Sequence, residues 1–407
     1  MSWFCDSTRF DRWLARKLLA RLGDPEVPLV LWDGRSIPDR SAPGRVRIGD
    51  RRTLYALAQH GELAFGDAYA AGRIEVEGDL VRVLEEIFSA PARQRIRARH
   101  TALRRHRARP STPREARDNI HQHYDLGNDF YQLWLDERMV YTCAYFPTPD
   151  ASLEAAQWAK LEYVCRKLRL RPGERVVEAG CGWGALALHM AERFGVDVTA
   201  YNISTAQIAF ARERARERGL EDRVRFVLGD YRDIRGRFDA FVSVGMLEHV
   251  GREHHAELGH VIDAALTREG RGLLHSIGRS QPLPMNGWIE RRIFPGSYCP
   301  TLREMAGVLE PWGFDVVDVE NLRPHYARTL EHWLERFEKR AAEVEQRFGA
   351  EFTRCWRLYL AGSIAAFRSS SFQLFQLLFA RPQREPRWTR EDLCAPFVPE
   401  RSERCEK

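Results

Sequence analysis

The residues Val176-Val177-Glu178-Ala179-Gly180-Cys181-Gly182-Trp183-Gly184 place an acidic side chain two positions ahead of three alternating glycines. Val176 and Val177 predict a buried parallel strand. The glycines let the backbone turn sharply against a ligand before a helix that begins near Ala185. Gly180, Gly182 and Ala185 also satisfy the G-x-G-x-x-G/A fingerprint of dinucleotide-binding folds. The stretch therefore predicts a strand, a ligand-binding loop and a helix, and its flanks must identify the ligand.

The flanking residues favour a sulfonium ligand over a pyrophosphate. A dinucleotide site needs an acidic residue about twenty positions further on for the ribose, whereas the second predicted strand, 196–201, is followed by Asn202, Ile203 and Ser204. S-adenosylmethionine (SAM) carries no phosphate but has a sulfonium and an ammonium group. A carboxylate at Glu178 suits those cations and would repel pyrophosphate. We therefore expect a SAM site, with a dinucleotide site and a structural glycine turn as the alternatives.

Composition indicates a chain that buries a large core. Its 407 residues are 44% hydrophobic and 11% aromatic, which predicts two domains. The sequence contains no run of eighteen apolar residues, and its first residues lack the basic-then-apolar pattern of a signal peptide, so we expect a cytoplasmic protein. The eight cysteines form no C-x-x-C pair and no zinc-like spacing with histidines, so we expect neither a disulfide framework nor a metal.

Charge is concentrated in one block. Between Pro91 and Arg117, ten arginines accompany a single acidic residue, Glu115. Such a block favours an anionic partner, either nucleic acid or the face of an acidic bilayer, and a solvated helix and linker is the alternative. We predict a compact N-terminal domain at 1–90, an arginine-rich linker at 91–116, a catalytic domain with C-terminal helices at 117–390 and a tail at 391–407.

Strands and helices alternate in the predicted catalytic domain, which favours a doubly wound parallel sheet. The predicted elements are strand 175–179, helix 185–194, strand 196–201, helix 205–218, strands 224–228 and 238–244, helix 255–266, strand 272–277, helix 301–310 and a strand near 314–319. The segment 329–380 has the spacing of long helices. The N-terminal domain is predicted as α+β, with strands at 28–32 and 45–48 and a helix at 53–60.

Chemically informative residues follow the predicted strands, where open α/β sheets bind their ligands. In strand order they are Glu178 with its glycines, Asn202 and Gln207, Asp230 and Tyr231, the run Gly245-Met246-Leu247-Glu248-His249, and His275 with Ile277. We expect them in one crevice. Asp230 is typical of the acid that contacts adenine in SAM enzymes, although an aspartate after a strand is also a common turn residue.

Several motifs together resemble the cyclopropane-fatty-acyl-phospholipid synthase family, which includes the mycolic acid cyclopropane synthases. They are the segments 123–131, 139–146, 180–184, 247–249, 294–296, 325–330 and 367–379. The resemblance covers nearly all of the chain and implies a class I SAM-dependent methyltransferase fold. Gly66-Asp67-Ala68-Tyr69-Ala70-Ala71-Gly72 resembles the extra N-terminal domain of the phospholipid-acting members.

This resemblance implies a reaction and a set of residues. The SAM methyl would become a methylene bridge across the cis double bond of an unsaturated phospholipid acyl chain, with bicarbonate as base. The implied bicarbonate ligands are Cys143, Glu248, His275, Ile277 through its backbone, and Tyr326. The implied SAM positions are Tyr141, Thr142, Gly180, Gly182, Asn202, Gln207 and Tyr231, to which the loop and strand ends add Glu178, Gly184 and Asp230. Thr142 and Asn202 depart from the family's usual serine and threonine but keep a hydrogen-bonding group.

Simpler roles exist for two of these residues, since Cys143 is also typical of a buried or reactive thiol and His275 of a core histidine. A sister enzyme that makes methyl-branched or methylene chains is the nearest functional alternative. A nucleic-acid methyltransferase would need an Asn-Pro-Pro-Tyr type of motif in place of Gly245–His249. A non-catalytic lipid-binding protein would not need the polar residues Cys143, Glu248, His275 and Tyr326. We therefore expect membrane phospholipids and an anionic membrane surface as partners, no nucleic acid, attachment to the inner face of the membrane and, by resemblance, a homodimer.

Overall fold

A computed structural model describes residues 6–42, 44–90, 126–385 and 389–394. The arginine-rich linker at 91–116, the beginning of the predicted catalytic domain at 117–125, and residues 395–407 of the tail lie outside the described residues. The described chain forms two compact units. The first contains described residues up to 90 together with 278–301 and 326–373, and the second contains 126–277, 302–325 and the residues from 374 onward.

The first unit combines a small sheet with helices. Its strands, β1 (Leu29–Val30), β2 (Ser36–Ile37), β3 (Arg45–Ile48) and β4 (Ile74–Glu77), lie in the order β2-β1-β3-β4. Its helices span Arg9–Leu22, Arg51–His60, Glu62–Ala70, Leu80–Ser89, Gly287–Arg292, the part of Arg323–Lys339 from residue 326 onward, Ala341–Phe348 and Ala350–Arg368. Thr8, Asp50 and Asp79 cap three of these helices by accepting hydrogen bonds from the backbone of the first turn. These caps explain where the helices begin.

The units divide the chain differently from the predicted domains 1–90 and 117–390. The helix Ala350–Arg368 packs against Glu62–Ala70 and Leu80–Ser89. Arg354 also donates to the carbonyl oxygens of Tyr69, at 2.7 Å, and Ile74, at 3.0 Å. This helix buries Trp356 and Phe367 within the first unit, which also contains the N-terminal residues. The predicted domain bounds stay a prediction.

The second unit is built on a seven-stranded sheet of order β10-β11-β9-β8-β5-β6-β7. These strands are β5 (Arg175–Ala179), β6 (Asp197–Asn202), β7 (Val224–Leu228), β8 (Phe238–Val244), β9 (Leu266–Gly278), β10 (Asp315–Asn321) and β11 (Gln373–Ala380). Neighbours among β5 to β9 run parallel, and β10 pairs antiparallel with β11. Its helices span Asn128–Gln132, Leu153–Leu168, Ala185–Phe194, Thr205–Glu217, Leu247–Val250, His255–Ala265, Leu302–Leu309 and Glu391–Cys394. The predicted α/β class with a doubly wound sheet is confirmed.

One predicted element is wrong. The segment 329–380 was expected to be helical throughout, but its last residues, Gln373–Ala380, form β11. Seven of its eight residues are buried, so both faces of the strand are covered and the alternation that marks a half-exposed strand is absent. A short continuous apolar run cannot be told from a buried helix by its periodicity.

The parallel register places the functional loops at one edge of this sheet. Glu178 on β5 lies opposite Ala200 on β6 and Val242 on β8, and Val244 at the end of β8 lies opposite His275 on β9. The carboxyl ends of these strands therefore meet, as predicted. Within the described ranges, no helix combines the length and apolar character needed to cross a membrane.

Candidate active site

A cavity opens at the carboxyl edge of the second unit's sheet. It is lined by Met139, Val140, Tyr141, Thr142, Lys160, Leu161, Glu178, Gly180, Cys181, Gly182, Trp183, Ala185, Leu186, Tyr201, Asn202, Ile203, Gln207, Gly229, Asp230, Tyr231, Arg232, Val244, Gly245, Met246, His249 and Val250. Every predicted cofactor residue except Gly184 is in this lining. Residues that follow four strands of the sheet, β5 to β8, therefore line the same cavity.

The three loop glycines have different structural roles. All have positive φ, of +84° at Gly180, +53° at Gly182 and +85° at Gly184, a region that side chains disfavour. A Cβ on Gly182 would meet no atom within 4 Å, whereas one on Gly184 would lie 2.6 Å from Phe226 Cζ and 2.8 Å from Ala211 Cβ. Gly184 therefore allows its helix to pack closely on the sheet, and its predicted place in the cofactor site stays a prediction.

Asn202 ties the glycine loop to the next helix. Its Nδ2 donates to Gly182 O at 3.2 Å and to Gln207 Oε1 at 2.7 Å, while its Oδ1 accepts from Ile203 N at 2.8 Å. Ser204 caps the helix Thr205–Glu217 that carries Gln207. These bonds hold the loop backbone and the Gln207 side chain against the cavity.

Asp230 is a turn residue that also lines the cavity, and its predicted contact with adenine stays a prediction. Its Oδ1 accepts from Arg232 N at 3.0 Å and it caps the short 3-10 turn Tyr231–Asp233, and it also lines the cavity. Tyr231 is buried, which raises its pKa to about 12. The Arg232 guanidinium lies 5.0 Å from the centre of the Tyr231 ring. The phenol therefore stays protonated at neutral pH.

A buried acid and a buried base face the same cavity. Burial raises the pKa of Glu178 to about 8 and lowers the pKa of Lys160 to about 8. Lys160 Nζ donates to Thr142 Oγ1 at 3.1 Å, while Glu178 Oε2 has no hydrogen-bond partner in the described part of the chain. Lys160 was not predicted as a site residue. It lies four positions before Val164 on a buried face of the helix Leu153–Leu168, and this helical spacing was a signal that the lysine is buried.

A second polar group lies where β8 and β9 end. Glu248 Oε1 accepts from the backbone N–H of Ile277 at 2.6 Å, two residues beyond His275 on β9. Burial raises the pKa of Glu248 to about 7 and holds that of His275 well below its usual value. Glu248 Oε2 and His275 Nε2 are buried and have no hydrogen-bond partner among the residues described. The structure therefore presents an unused acceptor and an unused imidazole nitrogen.

The backbone of Ile277 makes hydrogen bonds within the protein, and its implied role as a bicarbonate ligand stays a prediction. Its N–H holds Glu248, and its carbonyl oxygen accepts from Ser276 Oγ at 3.0 Å. Both backbone groups thus have partners within the protein, and the direct effect of Ile277 in this structure is to orient the Glu248 carboxylate.

The two remaining predicted residues come from separate parts of the chain. Cys143 is fully buried in the second unit, next to the cavity residue Thr142, and its Sγ lies 3.1 Å from Ala144 O as a donor. Tyr326 lies in the first unit on the helix Arg323–Lys339, where its ring centre is 4.6 Å from that of Phe367.

Gln376 was not predicted at all. It is buried on β11, and its Nε2 lies 2.9 Å from His275 Nδ1 on the neighbouring strand β9. The strand itself was mistaken for a helix, so nothing in the sequence placed Gln376 beside His275. Among the described residues, no group of three His, Cys, Asp or Glu side chains is arranged to hold a metal ion.

The fold and cavity define a class of enzyme. A solved mycolic acid cyclopropane synthase complexed with SAH and CTAB is 29% identical to this chain and superposes with a TM-score of 0.62, covering 65% of this chain and 98% of its own. The chain shares this fold and has the glycine loop and the acidic residue at the end of β5, so the protein is a class I SAM-dependent methyltransferase.

Family membership follows from the sequence comparisons. The model of the mycolic acid cyclopropane synthetase family matches residues 111–377. The cyclopropane-fatty-acyl-phospholipid synthase of Escherichia coli K12 is 36% identical over 382 residues, covering 91% of this chain and 94% of the relative. A tuberculostearic acid methyltransferase of Mycobacterium tuberculosis is 34% identical over 391 residues, covering 90% and 91%. The chain belongs to the mycolic acid cyclopropane synthetase family.

Proposed function

We propose that the protein is a cyclopropane-fatty-acyl-phospholipid synthase, which places the SAM methyl as a methylene bridge across the cis double bond of an unsaturated phospholipid acyl chain, with bicarbonate as base. The proposal is carried by two buried atoms at the strand ends, Glu248 Oε2 and His275 Nε2, which have no hydrogen-bond partner in the described part of the chain. SAM supplies an electrophilic methyl. An isolated alkene is a poor nucleophile, so the protein must align the reactants and exclude water.

Bicarbonate fits the residues present. A protonated oxyanion can donate its own proton to a carboxylate and accept a hydrogen bond from an imidazole N–H, and Glu248 and His275 offer those two groups. When bound, it supplies a base for the proton that ring closure releases. The Ile277 N–H orients the Glu248 carboxylate by donating to its Oε1. Tyr326 and Cys143 complete the set by resemblance alone.

The cofactor residues act by position and charge. The open space above Gly182 lets a ligand approach the backbone, and Asn202 holds that backbone through its carbonyl. Glu178 and Lys160 together let the cavity carry either an ion pair or a neutral pair near pH 8. A cationic ligand favours the state in which Glu178 is ionised.

Phospholipid as the substrate is supported by the share of this chain that each relative matches. The E. coli phospholipid synthase matches 91% of this chain, whereas the mycolic acid synthase structure covers 65%. The arginines at 91–117 supply positive charge for an anionic bilayer surface, where each basic residue contributes about 1 kcal/mol. We propose peripheral attachment to the inner face of the membrane with no nucleic acid as partner. Binding to vesicles should require anionic lipid and weaken with salt; binding that ignores salt would contradict this attachment.

Product analysis tests the chemistry. The protein is expressed in a bacterial host that lacks the activity, and the phospholipid acyl chains are analysed by mass spectrometry before and after ozonolysis. A synthase converts a monounsaturated chain into one that has gained a CH2 group and resists ozonolysis. The matched control is Glu248→Gln, which keeps the acceptor for Ile277 N–H but cannot ionise. Wild-type protein that makes only ozonolysis-sensitive or methyl-branched saturated chains would refute ring closure.

A second candidate function is a fatty acyl methyltransferase that yields methyl-branched or methylene chains. It is favoured by the tuberculostearic acid methyltransferase, which matches this chain at 34% identity over a similar extent. A methyl-branched saturated product carries two more hydrogens than the cyclopropane, and a methylene product is cleaved by ozone. The same experiment therefore separates the two functions. A homodimer, also implied by resemblance, is tested by light scattering of the purified chain.

A further inference from the structure

A line of polar side chains runs through the interior of the second unit and ends at His275. Gln376 Nε2 lies 2.9 Å from His275 Nδ1, and Gln376 Oε1 lies 2.8 Å from Lys167 Nζ. Lys167 Nζ in turn lies 2.5 Å from Glu320 Oε2. Gln376 and Lys167 are 1% and 2% exposed, so these bonds form away from water, where each polar group needs its partner.

The order of the groups sets the direction of every hydrogen bond. An ammonium group only donates, so the atom of Gln376 that faces Lys167 must be the carbonyl oxygen. The amide nitrogen then faces His275 and donates to Nδ1. A nitrogen that accepts carries no proton, so the neutral imidazole holds its proton on Nε2. The reverse orientation of the amide would place two donors against each other at Lys167.

The charged end of the line is held in place by its surroundings. Glu320 keeps 29% of its side chain exposed while it pairs with Lys167, so the carboxylate remains hydrated on one side. The Lys167 ammonium lies 4.7 Å from the centre of the Tyr163 ring, close enough for a cation–π contact. Burial and the nearby cations Lys160 and Lys167 favour the neutral form of His275. A neutral imidazole has two tautomers, and the line of contacts selects one.

We propose that Gln376 is a positioning residue that holds His275 as its Nε2–H tautomer, with Lys167 and Glu320 fixing the direction of the amide. His275 then presents a donor, and not an acceptor, at the buried Nε2, which has no hydrogen-bond partner among the residues that the structure describes. The tautomer follows from these contacts alone. Its use, donation to an oxyanion shared with Glu248, rests on the proposed function.

Nitrogen NMR of the intact protein tests the tautomer directly. Histidines are labelled with nitrogen-15, the His275 signals are assigned by their loss in His275→Asn, and long-range proton–nitrogen spectra identify which ring nitrogen carries the proton. We expect the Nε2–H pattern in the wild type. In Gln376→Glu the carboxylate accepts from the ring, so the proton should move to Nδ1 or the ring should become doubly protonated. Gln373→Glu, the same change on the same strand at a partly exposed site, should leave the pattern unaltered.

The kinetic readout separates positioning from folding. None of Gln376, Lys167 and Glu320 is in the described lining of the cofactor cavity, so Gln376→Glu should lower kcat at least tenfold with SAM affinity within about twofold of wild type, a factor equivalent to about 0.4 kcal/mol. An Nδ1–H pattern in the wild type overturns the proposal without any variant, which matters if Gln376→Glu does not fold. A changed tautomer with unchanged kcat overturns the positioning role. A wild-type Nε2–H pattern with a product other than cyclopropane would support the tautomer while refuting the proposed reaction.

Discussion

Adding one methyl group to two glycines of the same loop should have opposite consequences. Gly184→Ala puts a Cβ 2.6 Å from Phe226 Cζ and 2.8 Å from Ala211 Cβ, at a residue that does not line the cavity. Gly182→Ala puts a Cβ where no atom lies within 4 Å, at a residue that lines the cavity. The first variant should therefore lose stability and the second should lose SAM binding.

The magnitudes follow from the geometry. Both alanines occupy a left-handed conformation, which costs about 1–2 kcal/mol. Gly184→Ala adds overpacking of about 1–3 kcal/mol against side chains on β7 and the helix Thr205–Glu217. Its total of about 2–5 kcal/mol corresponds to a Tm lower by about 4–20 °C, since a unit of this size shifts by about 2–4 °C per kcal/mol. Gly182→Ala has only the first contribution, a shift of about 2–8 °C.

Two assays on the same samples distinguish the variants. Calorimetric titration should show SAM affinity of Gly182→Ala reduced by about 5- to 150-fold, since a methyl that clashes with a bound ligand costs about 1–3 kcal/mol. Gly184→Ala, measured well below its Tm, should bind SAM within about threefold of wild type, a difference under about 0.7 kcal/mol. Equal loss of affinity in both variants, or a smaller loss of stability in Gly184→Ala than in Gly182→Ala, would refute the division of roles.

Three further predictions concern charge and hydrogen bonding. The pKa of Glu248 is about 7, above its ordinary value of 4.5. Between these two pH values the folded protein keeps a proton that the unfolded chain releases. The free energy of unfolding should therefore fall by on the order of 3 kcal/mol as the pH rises through this window. Glu248→Gln removes this pH dependence. Urea unfolding of the wild type and the variant at several pH values should show a difference in the free energy of unfolding that changes with pH across the window. A difference that stays constant would contradict the raised pKa of Glu248. Asn202→Ala removes the hydrogen bonds to Gly182 and Gln207 and should weaken SAM binding by about 1–3 kcal/mol. Calorimetric titration measures this change, and an unchanged SAM affinity would contradict the role of Asn202. Arg271→Met removes a buried guanidinium that pairs with the partly exposed Glu174 and donates to the carbonyl oxygens of Leu168, Arg169 and Asp239. The change should lower the free energy of unfolding by about 1–3 kcal/mol for each acceptor left without a partner, whereas a total loss below about 1 kcal/mol, typical of a surface pair, would contradict the role of Arg271 in the core.

The sheet and the cofactor cavity could be predicted because their signals are local. Val176 and Val177 form a buried strand, and the residues after each parallel strand meet at one edge whatever else the fold contains. The sequence does not reveal the packing role of Gly184, for a physical reason. A glycine needed for close approach to a ligand and one needed for close approach to Phe226 look alike in a sequence, and only the packing of the helix on β7 separates them.

The compact units depend on contacts between distant segments, which periodicity does not contain. Trp356 and Phe367 are buried in the core. Helical spacing shows that such a face is buried but does not show against what. The hydrogen bonds from Arg354 to the carbonyls of Tyr69 and Ile74 join residues nearly three hundred positions apart, and they place this helix with the N-terminal residues.

Three buried polar residues, of which Lys160 and Gln376 were not predicted, share a signal that the sequence contains. Lys160, His275 and Gln376 each lie within a run of apolar neighbours, and each is buried. A polar group inside an apolar run has to find a partner or accept a cost of several kcal/mol, so such a run implies a second polar residue elsewhere. His275 and Gln376 satisfy this requirement for each other across adjacent strands, and mistaking β11 for a helix concealed the match. A strand beside β9 gives the buried amide of Gln376 a polar partner, whereas the apolar face of a core helix would not.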